Sequence, residues 1–162
     1  VSGAVETTSN VVRAAIQIIG KSDDAQIISS CFLMYPKNNY PMVYSDCWLV
    51  IDPTEDELAS IAVMAANSCK NLLQAEPRVA MLSFSTKGSA NHSKVSKVLA
   101  ATKIVQSKNP EIQIDGELQY DTAISPEIAE LKAKGSSTAG NANVMIFPNL
   151  DAGNIGRFFQ FF

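Results

Sequence analysis

The spacing of apolar residues along the chain predicts three long helices. From Thr8 to Ile19, apolar residues recur every three or four positions with polar residues on the other side, and Gly20 is a stop signal. Thr54 and Glu57 have the spacing of a capping box, and the apolar stripe that follows predicts a second helix. A further stripe between Val95 and Val105 predicts a third.

Runs of β-branched and other apolar residues predict the strands. Segments 26–35 and 42–51 flank the turn-forming stretch PKNNYP, so we expect an antiparallel pair there. The run RVAMLSFS predicts a strand buried on both faces, and IQIDG and ANVMIFP predict two more. The stretch SPEIAELKAKG predicts a short helix, with Ser125 at its cap and Pro126 in its first turn.

The order of these elements predicts the fold class. After the antiparallel pair, helices and strands alternate, and a helix start follows the last strand. Such alternation indicates βαβ crossovers, which place helices on the faces of parallel strands. We therefore predict an α/β protein with three α/β/α layers and a mixed, partly parallel sheet. The 162 residues fit one domain, residues 1–162, with a sizeable core.

Composition and charge exclude several classes of partner. The formal net charge is −3 and there is no basic block, which argues against nucleic acid or an anionic membrane as partner. No apolar stretch is long enough to span a membrane and no signal-peptide pattern opens the chain, so we expect a cytoplasmic location. The chain begins with valine and ends just after a helix start, and we interpret it as a piece of something longer.

The residue types that carry common chemistry are sparse. Three cysteines, Cys31, Cys47 and Cys69, lack C-x-x-C spacing and cannot all pair with one another, so we predict reduced, buried thiols. The sequence has no P-loop, no G-x-G-x-x-G and no H-E-x-x-H motif. His92 is the only histidine, and its position suits a solvated or helix-capping role. We therefore expect neither a metal site nor a Ser-His-Asp triad.

The stretch SGAVETTSNVVR is the first candidate site. Ser2, Gly3, Thr7 and Thr8 precede or open a helix, where hydroxyls and unpaired backbone N–H groups can meet an anion. Arg13 lies one turn further on. A helix end contributes roughly 0.3–1 kcal/mol toward an exposed anion, whereas hydrogen bonds to a charged group contribute about 1.5–3 kcal/mol. Arg13 would therefore matter more than the helix dipole, unless it only solvates the polar side of the helix.

Two further loops are candidate anion sites. Ser85, Thr86 and Lys87 lie in SFSTKGSA, at the carboxyl end of a predicted buried strand, where open α/β sheets place ligands. The alternative is an ordinary connecting loop. Gly153 and Asn154 lie in FPNLDAGNIG, between a strand and a helix start, which is also a geometry open to anions.

The acidic stretch IDGELQYD has two interpretations. Asp115, Glu117 and Asp121 could provide acid–base chemistry after a strand. Turn formation and solvated charge are the alternative, and we favour a turn at Asp115 and Gly116.

Four stretches, in this order and spacing, resemble the phosphate acetyltransferase family, which includes the phosphate butyryltransferases. They are VSGAVETTSNVVRAAIQII, EPRVAMLSFSTKGSA, IDGELQYDTAI and ANVMIFPNLDAGNIG. The resemblance runs from residue 1 to about Gly156 and corresponds to the middle half of a family member. It implies reversible acetyl transfer between acetyl-CoA and phosphate, giving acetyl phosphate and CoA by direct attack of the CoA thiol in a ternary complex.

The resemblance also implies an architecture and partners. A family member has two α/β/α domains like those of isocitrate and isopropylmalate dehydrogenases, with the active site in the cleft between them. CoA and acetyl-CoA are substrates rather than resident cofactors, and a homodimer is expected. The alternatives are a phosphate butyryltransferase or a non-catalytic acyl-CoA-sensing module, such as that appended to some bacterial malic enzymes.

The resemblance assigns roles to individual residues. Arg13 occupies the position of a family arginine that binds the substrate anion, and Thr7 and Thr8 match the hydroxyl pair beside it. Glu6 stands where many members have histidine, and Ala14 where they have proline. The family's Asn-Asp-Leu-Ser-Arg-Gly segment, which with the residues just after it supplies a second arginine and the proposed thiol base, does not occur in this sequence. We therefore predict little or no transferase activity for these 162 residues alone.

Overall fold

A computed structural model describes residues 5–21, 26–36 and 40–158. The helices are α1 (Thr8–Ile18), α2 (Glu55–Ser68), α3 (Ser93–Lys108), α4 (Tyr120–Ile124), α5 (Pro126–Lys132) and α6 (Leu150–Phe158). The strands are β1 (Cys31–Met34), β2 (Met42–Ser45), β3 (Arg78–Leu82), β4 (Gln113–Leu118) and β5 (Val144–Ile146). A π-helical turn, Cys69–Leu73, continues α2.

The strands form one mixed sheet, as predicted. Their spatial order is β1-β2-β5-β3-β4, with β1 antiparallel to β2 and the other neighbours parallel. The chain runs from β2 through α2 to β3 and through α3 to β4, and then returns through α4 and α5 to β5 in the middle of the sheet. Right-handed crossovers require helices on opposite faces for these opposite directions of travel.

Helices cover both faces of the sheet, which confirms the three α/β/α layers. Val79 and Met81 of β3 pack with α2 and α3 on one face, while Ala80 and Leu82 pack with α4 and α5 on the other. This alternation follows from the two-residue period of a strand. The apolar run in β3 is thus buried on both faces. The more specific likeness to isocitrate and isopropylmalate dehydrogenases stays a prediction.

Local signals fixed most helix starts. Thr54 and Glu57 form the predicted capping box of α2, and Ser125 caps α5 with Pro126 in its first turn. His92 caps α3, because its Nδ1 accepts a hydrogen bond from the Lys94 backbone N–H at 3.1 Å. The capping interpretation of the single histidine is therefore confirmed.

The turn prediction at Asp115 and Gly116 was wrong, since both residues lie within β4. Thr102 of α3 and Met81 of β3 approach this point closely: a Cβ on Gly116 would lie 2.5 Å from the Met81 Cβ and 2.9 Å from the Thr102 Oγ1. Glycine is needed here for packing rather than for a turn. Glu117 is buried instead of being a solvated charge.

Two other expectations also need correction. The segments predicted as the first two strands are longer than β1 and β2, because residues 26–30 and 46–51 lie outside regular strands. Cys47 and Cys69 are buried as predicted, but Cys31 is exposed on the edge strand. Within the described part of the chain, no helix is long and apolar enough to cross a membrane.

Candidate active site

A cavity of about 670 Å³ lies at the carboxyl edge of the sheet. It is bordered by the segments that follow β3 and β5, which leave the sheet toward α3 on one face and α6 on the other. Diverging connections of this kind open a crevice, and open α/β sheets bind ligands there. The cavity is lined by Asp52, Leu82, Ser83, Phe84, Ser93, Lys94, Lys97, Tyr120, Phe147, Pro148, Asn149 and Ala152. Its size is typical of a small-molecule site, and its lining combines apolar side chains with polar and charged ones.

Two lysines in the first turns of α3 make one wall of the cavity cationic. Lys97 Nζ donates to Asp52 Oδ1 at 2.7 Å and to the Pro148 carbonyl at 3.1 Å. The hydrogen bond from Lys97 lowers the pKa of Asp52. Lys94 has no ion pair among the described residues, so its charge stays available at the positive end of the helix.

A tyrosine pair supports the opposite wall. Tyr120 lines the cavity, and its hydroxyl is hydrogen bonded to the hydroxyl of Tyr44 beneath it. Burial of Tyr44 raises the pKa of its phenol, so this group stays protonated at neutral pH. The pair fixes the position of the Tyr120 ring at the cavity surface.

A second, more open depression, the α1 hollow, lies between α1 and residues 48–51. Arg13, Thr7 and Thr8 line it together with Ser9, Val12, Ile16, Gln17, Trp48, Leu49, Ile51 and Leu150. Its border touches that of the cavity, since Ile51 and Leu150 are the chain neighbours of the cavity residues Asp52 and Asn149. The Leu150 N–H donates to the Ile51 carbonyl at 2.9 Å and joins the two segments.

The guanidinium of Arg13 is available for a ligand. Thr7 caps α1, and no residue of this helix is buried. Arg13 is exposed, and no carboxylate pairs with it in the described ranges 5–21, 26–36 and 40–158. Glu6, whose charge would oppose an anion, accepts a hydrogen bond from Asn10 Nδ2 at 2.9 Å. It does not line the α1 hollow itself but lines an adjoining depression that shares Thr8, Val12, Trp48 and Leu49 with the hollow.

Residues 83–92, the hydroxyl-rich segment after β3, form the β3–α3 loop. This loop lies at the cavity as predicted, but the side chains of its three candidate residues point away from the cavity. Ser85 and Thr86 are buried. The Ser85 hydroxyl donates to Glu117 Oε1, and the Thr86 hydroxyl accepts from the Gln119 backbone N–H at 2.9 Å. Lys87 Nζ is paired with Asp115. These side chains hold the loop onto β4 and do not line the cavity.

The candidates in α6 are also structural. Gly153 packs against the Asp46 carbonyl, where a Cβ would collide with backbone, and Asn154 Nδ2 donates to the Cys47 carbonyl at 3.3 Å. Ser2 and Gly3 lie outside the described residues.

The residues of the β3–α3 loop and of the α6 region that do line the cavity were not among the predicted site residues. Ser83 and Phe84 stand just before the predicted Ser85, and Asn149 and Ala152 stand just before the predicted Gly153. The predicted motifs lie in segments that border the cavity, but the side chains that face the cavity depend on the local backbone path. No pattern in the sequence gives that path.

The cysteines are not placed as nucleophiles. None of the three lines the cavity. Burial, followed by the nearby Asp46 charge, raises the pKa of Cys47 to about 12, and burial also raises the pKa of Cys69. A thiol with a raised pKa is mostly protonated at neutral pH and therefore a poor nucleophile.

Fold and site together define an α/β protein with a ligand-sized crevice at the carboxyl edge of its sheet and, beside it, an exposed arginine that has no ion pair among the described residues. Residues 1–158 match the model of a family described as Phosphate acetyl/butaryl transferase. The chain belongs to this family.

Individual relatives are similar in sequence to this chain along nearly its whole length. A phosphate acetyltransferase of Thermoanaerobacterium thermosaccharolyticum is 53% identical over 161 residues, covering 96% of this chain and 49% of the relative. One from Bacillus subtilis is 47% identical over 156 residues, covering 96% and 48%. A crystal structure of a phosphotransacetylase from Streptococcus pyogenes has a TM-score of 0.90 at 47% identity, covering 96% and 47%. The chain thus spans about half the length of these relatives.

Proposed function

We propose that this chain is the middle portion of a longer, two-domain phosphate acetyltransferase. The observation that carries the proposal is 53% identity, over 96% of the chain, to a relative of that name. The curated relatives compared are all named for acetyl transfer, which favours acetyl over butyryl as the substrate group. We further propose that the complete protein is cytoplasmic and that it forms a homodimer, the latter as the resemblance implies.

The two depressions suit the two substrates of this reaction. The cavity of about 670 Å³, with its apolar wall and the charge of Lys94, which has no ion pair in the described part of the chain, suits part of CoA or acetyl-CoA. The α1 hollow next to it offers the hydroxyls of Thr7 and Thr8 and the guanidinium of Arg13 to phosphate or to acetyl phosphate. Their shared border would bring the two substrates together in a ternary complex.

The reaction is direct transfer between the substrates. The CoA sulfur, as thiolate, attacks the carbonyl carbon of acetyl phosphate; the new C–S bond forms, the C–O bond to phosphate breaks, and phosphate leaves with the electron pair. Arg13 would hold the phosphate and stabilise the charge that develops on it. No cysteine of the protein takes the acetyl group, in keeping with the buried, protonated thiols of Cys47 and Cys69.

The group that generates the CoA thiolate is not among these 162 residues. The resemblance places it with a second arginine in and just after an Asn-Asp-Leu-Ser-Arg-Gly segment that the sequence lacks. We therefore expect the isolated chain to be inactive, because one wall of a two-domain cleft binds substrates without completing the reaction.

The test uses the complete protein that contains this chain. Purified protein is mixed with CoA and acetyl phosphate, and acetyl-CoA formation is followed by the absorbance of the thioester. We expect turnover in the complete protein and none in residues 1–162. Binding of acetyl-CoA without any turnover in the complete protein would contradict the proposal and favour a sensing module.

A further inference from the structure

Glu117 is a buried acid that has no charged partner in the part of the chain that the structure describes. It lies in β4 with 1% of its surface exposed, and none of the ion pairs among the described residues involves it. Burying a carboxyl group costs several kcal/mol unless hydrogen bonds compensate. Such a residue persists where its hydrogen bonds hold something in place.

The hydrogen bonds of Glu117 converge on the β3–α3 loop. Its Oε1 accepts from the Ser85 hydroxyl at 2.9 Å and from the Gly88 backbone N–H at 2.7 Å. Its backbone carbonyl accepts from the Lys87 N–H at 3.2 Å. Lys87 and Gly88 both have left-handed backbone angles, with φ of +48° and +83°. The loop is therefore curled around one carboxylate oxygen.

Ser85 extends this arrangement to both ends of the loop. Its Oγ accepts from the Ala90 N–H at 3.0 Å, close to the start of α3. Its own N–H donates to the Ser83 hydroxyl at 3.4 Å, and Ser83 lines the cavity. Glu117 thus reaches a cavity residue through a single intermediate.

Phe84 is the aromatic residue of this loop that lines the cavity. Its side chain is 57% exposed although it is large and apolar, and it lines the cavity. Its ring meets the His92 ring edge-on, with 6.0 Å between centroids. His92 caps α3, so the loop positions both an aromatic wall and the helix start that carries Lys94.

We propose that Glu117 is a positioning residue for the acyl transfer: it fixes the β3–α3 loop, and through it the Phe84 wall of the substrate cavity. The inference rests on the proposed function. Glu117 itself does not line the cavity.

The two carboxylate oxygens of Glu117 allow a positioning role to be distinguished from a role of its negative charge. Oε2 is buried and has no hydrogen-bond partner among the described residues. Glu117→Gln keeps a carbonyl oxygen that can accept both bonds now made to Oε1, whereas Glu117→Ala removes that acceptor. Positioning therefore predicts rescue by glutamine, and a role for the negative charge predicts none.

The activity test compares these variants in the complete protein. For Glu117→Ala we expect kcat/KM to fall by about tenfold or more, mainly through the KM for CoA, since small misplacements of a binding wall are costly. For Glu117→Gln we expect kcat/KM within about threefold of the wild type. Val105→Ala, a core truncation in α3 away from the cavity, controls for lost stability and should keep the wild-type KM. A Glu117→Ala variant with the control's KM, or a Gln variant as impaired as Ala, would overturn the proposal.

A second measurement does not need catalysis. Amide hydrogen exchange over residues 83–90 should be faster in Glu117→Ala than in wild type or Val105→Ala, because the Gly88 N–H loses its acceptor. If Glu117→Ala does not fold, Ser85→Ala removes the other donor and should speed exchange in the same segment. Exchange that does not change in these variants contradicts the positioning role. A wild-type protein without turnover would refute the proposed function, and the exchange result would then decide the positioning role alone.

Discussion

The α1 hollow and the β3–α3 loop are built from similar residues and have opposite surroundings. Each combines hydroxyl side chains with one basic residue at the carboxyl edge of the sheet. In the hollow, Arg13 is exposed and unpaired within the described ranges, on a helix with no buried residue. In the loop, Ser85 and Thr86 are buried, and Lys87 is paired with Asp115.

This contrast separates ligand binding from support. A polar group that is already satisfied by the protein gains little from a ligand, whereas an exposed, unpaired guanidinium can form charge-assisted bonds without breaking others. We therefore expect substitutions in the hollow to change activity and substitutions in the loop to change stability first.

The largest effect is expected for Arg13→Ala in the complete protein. Loss of charge-assisted hydrogen bonds worth about 1.5–3 kcal/mol should reduce kcat/KM for acetyl phosphate and for phosphate by more than about tenfold. The urea midpoint should not change, since Arg13 is exposed. Lys103→Ala, which removes an exposed positive charge from α3 outside the hollow and the cavity, is the matched control. Equal kinetics in the two variants would remove Arg13 from the site.

An intermediate effect, on stability, is expected for Thr86→Val. The substitution leaves the Gln119 N–H without its acceptor in a partly buried position, which should lower the free energy of unfolding by about 1–3 kcal/mol. Thr138→Val is the matched control, because the buried Thr138 hydroxyl has no partner among the described residues and its removal should cost little. Urea unfolding of the 162-residue chain measures both. If the two variants are equally stable, the loop is not held as described.

The smallest effect is expected for the cysteines, which belong to neither region. Cys31→Ser, Cys47→Ala and Cys69→Ala should each leave kcat within about twofold in a direct-transfer mechanism, once the folded fraction is matched. A raised pKa also means that Cys47 and Cys69 stay protonated as the pH rises through the ordinary range of a thiol, and both are buried, whereas Cys31 is exposed to a reagent. Alkylation at pH 8, followed by peptide mass spectrometry, should therefore label Cys31. Loss of turnover in one cysteine variant would indicate an acyl-enzyme.

The raised pKa of Cys47 also determines the direction in which stability changes with pH. An acid whose folded pKa lies above its unfolded value loses its proton more readily in the unfolded chain. The contribution of Cys47 to the free energy of unfolding is complete below the pKa of the unfolded state and is lost as the pH rises toward about 12. The chain should therefore become less stable to urea in alkaline buffer.

Much of the fold could be predicted because its signals are local. The capping box at Thr54 and Glu57, the cap at Ser125 and the apolar periodicity of α3 each depend on a few neighbouring residues. Asp115 and Gly116 were misassigned because their letters suit a turn, while the need for glycine at 116 comes from Met81 and Thr102, distant in sequence. Local propensity cannot detect a contact between separate elements.

The sequence by itself determined the order of helices and strands, the mixed three-layer α/β architecture and, through its motifs, the loops that meet at one edge of the sheet. Only the tertiary structure decided which side chains of those loops face a ligand. Phe84 faces the cavity while Ser85 turns inward to Glu117, because a partner brought from β4 competes with solvent for the same hydroxyl. That partner lies 32 positions further along the chain, where no short-range pattern connects the two.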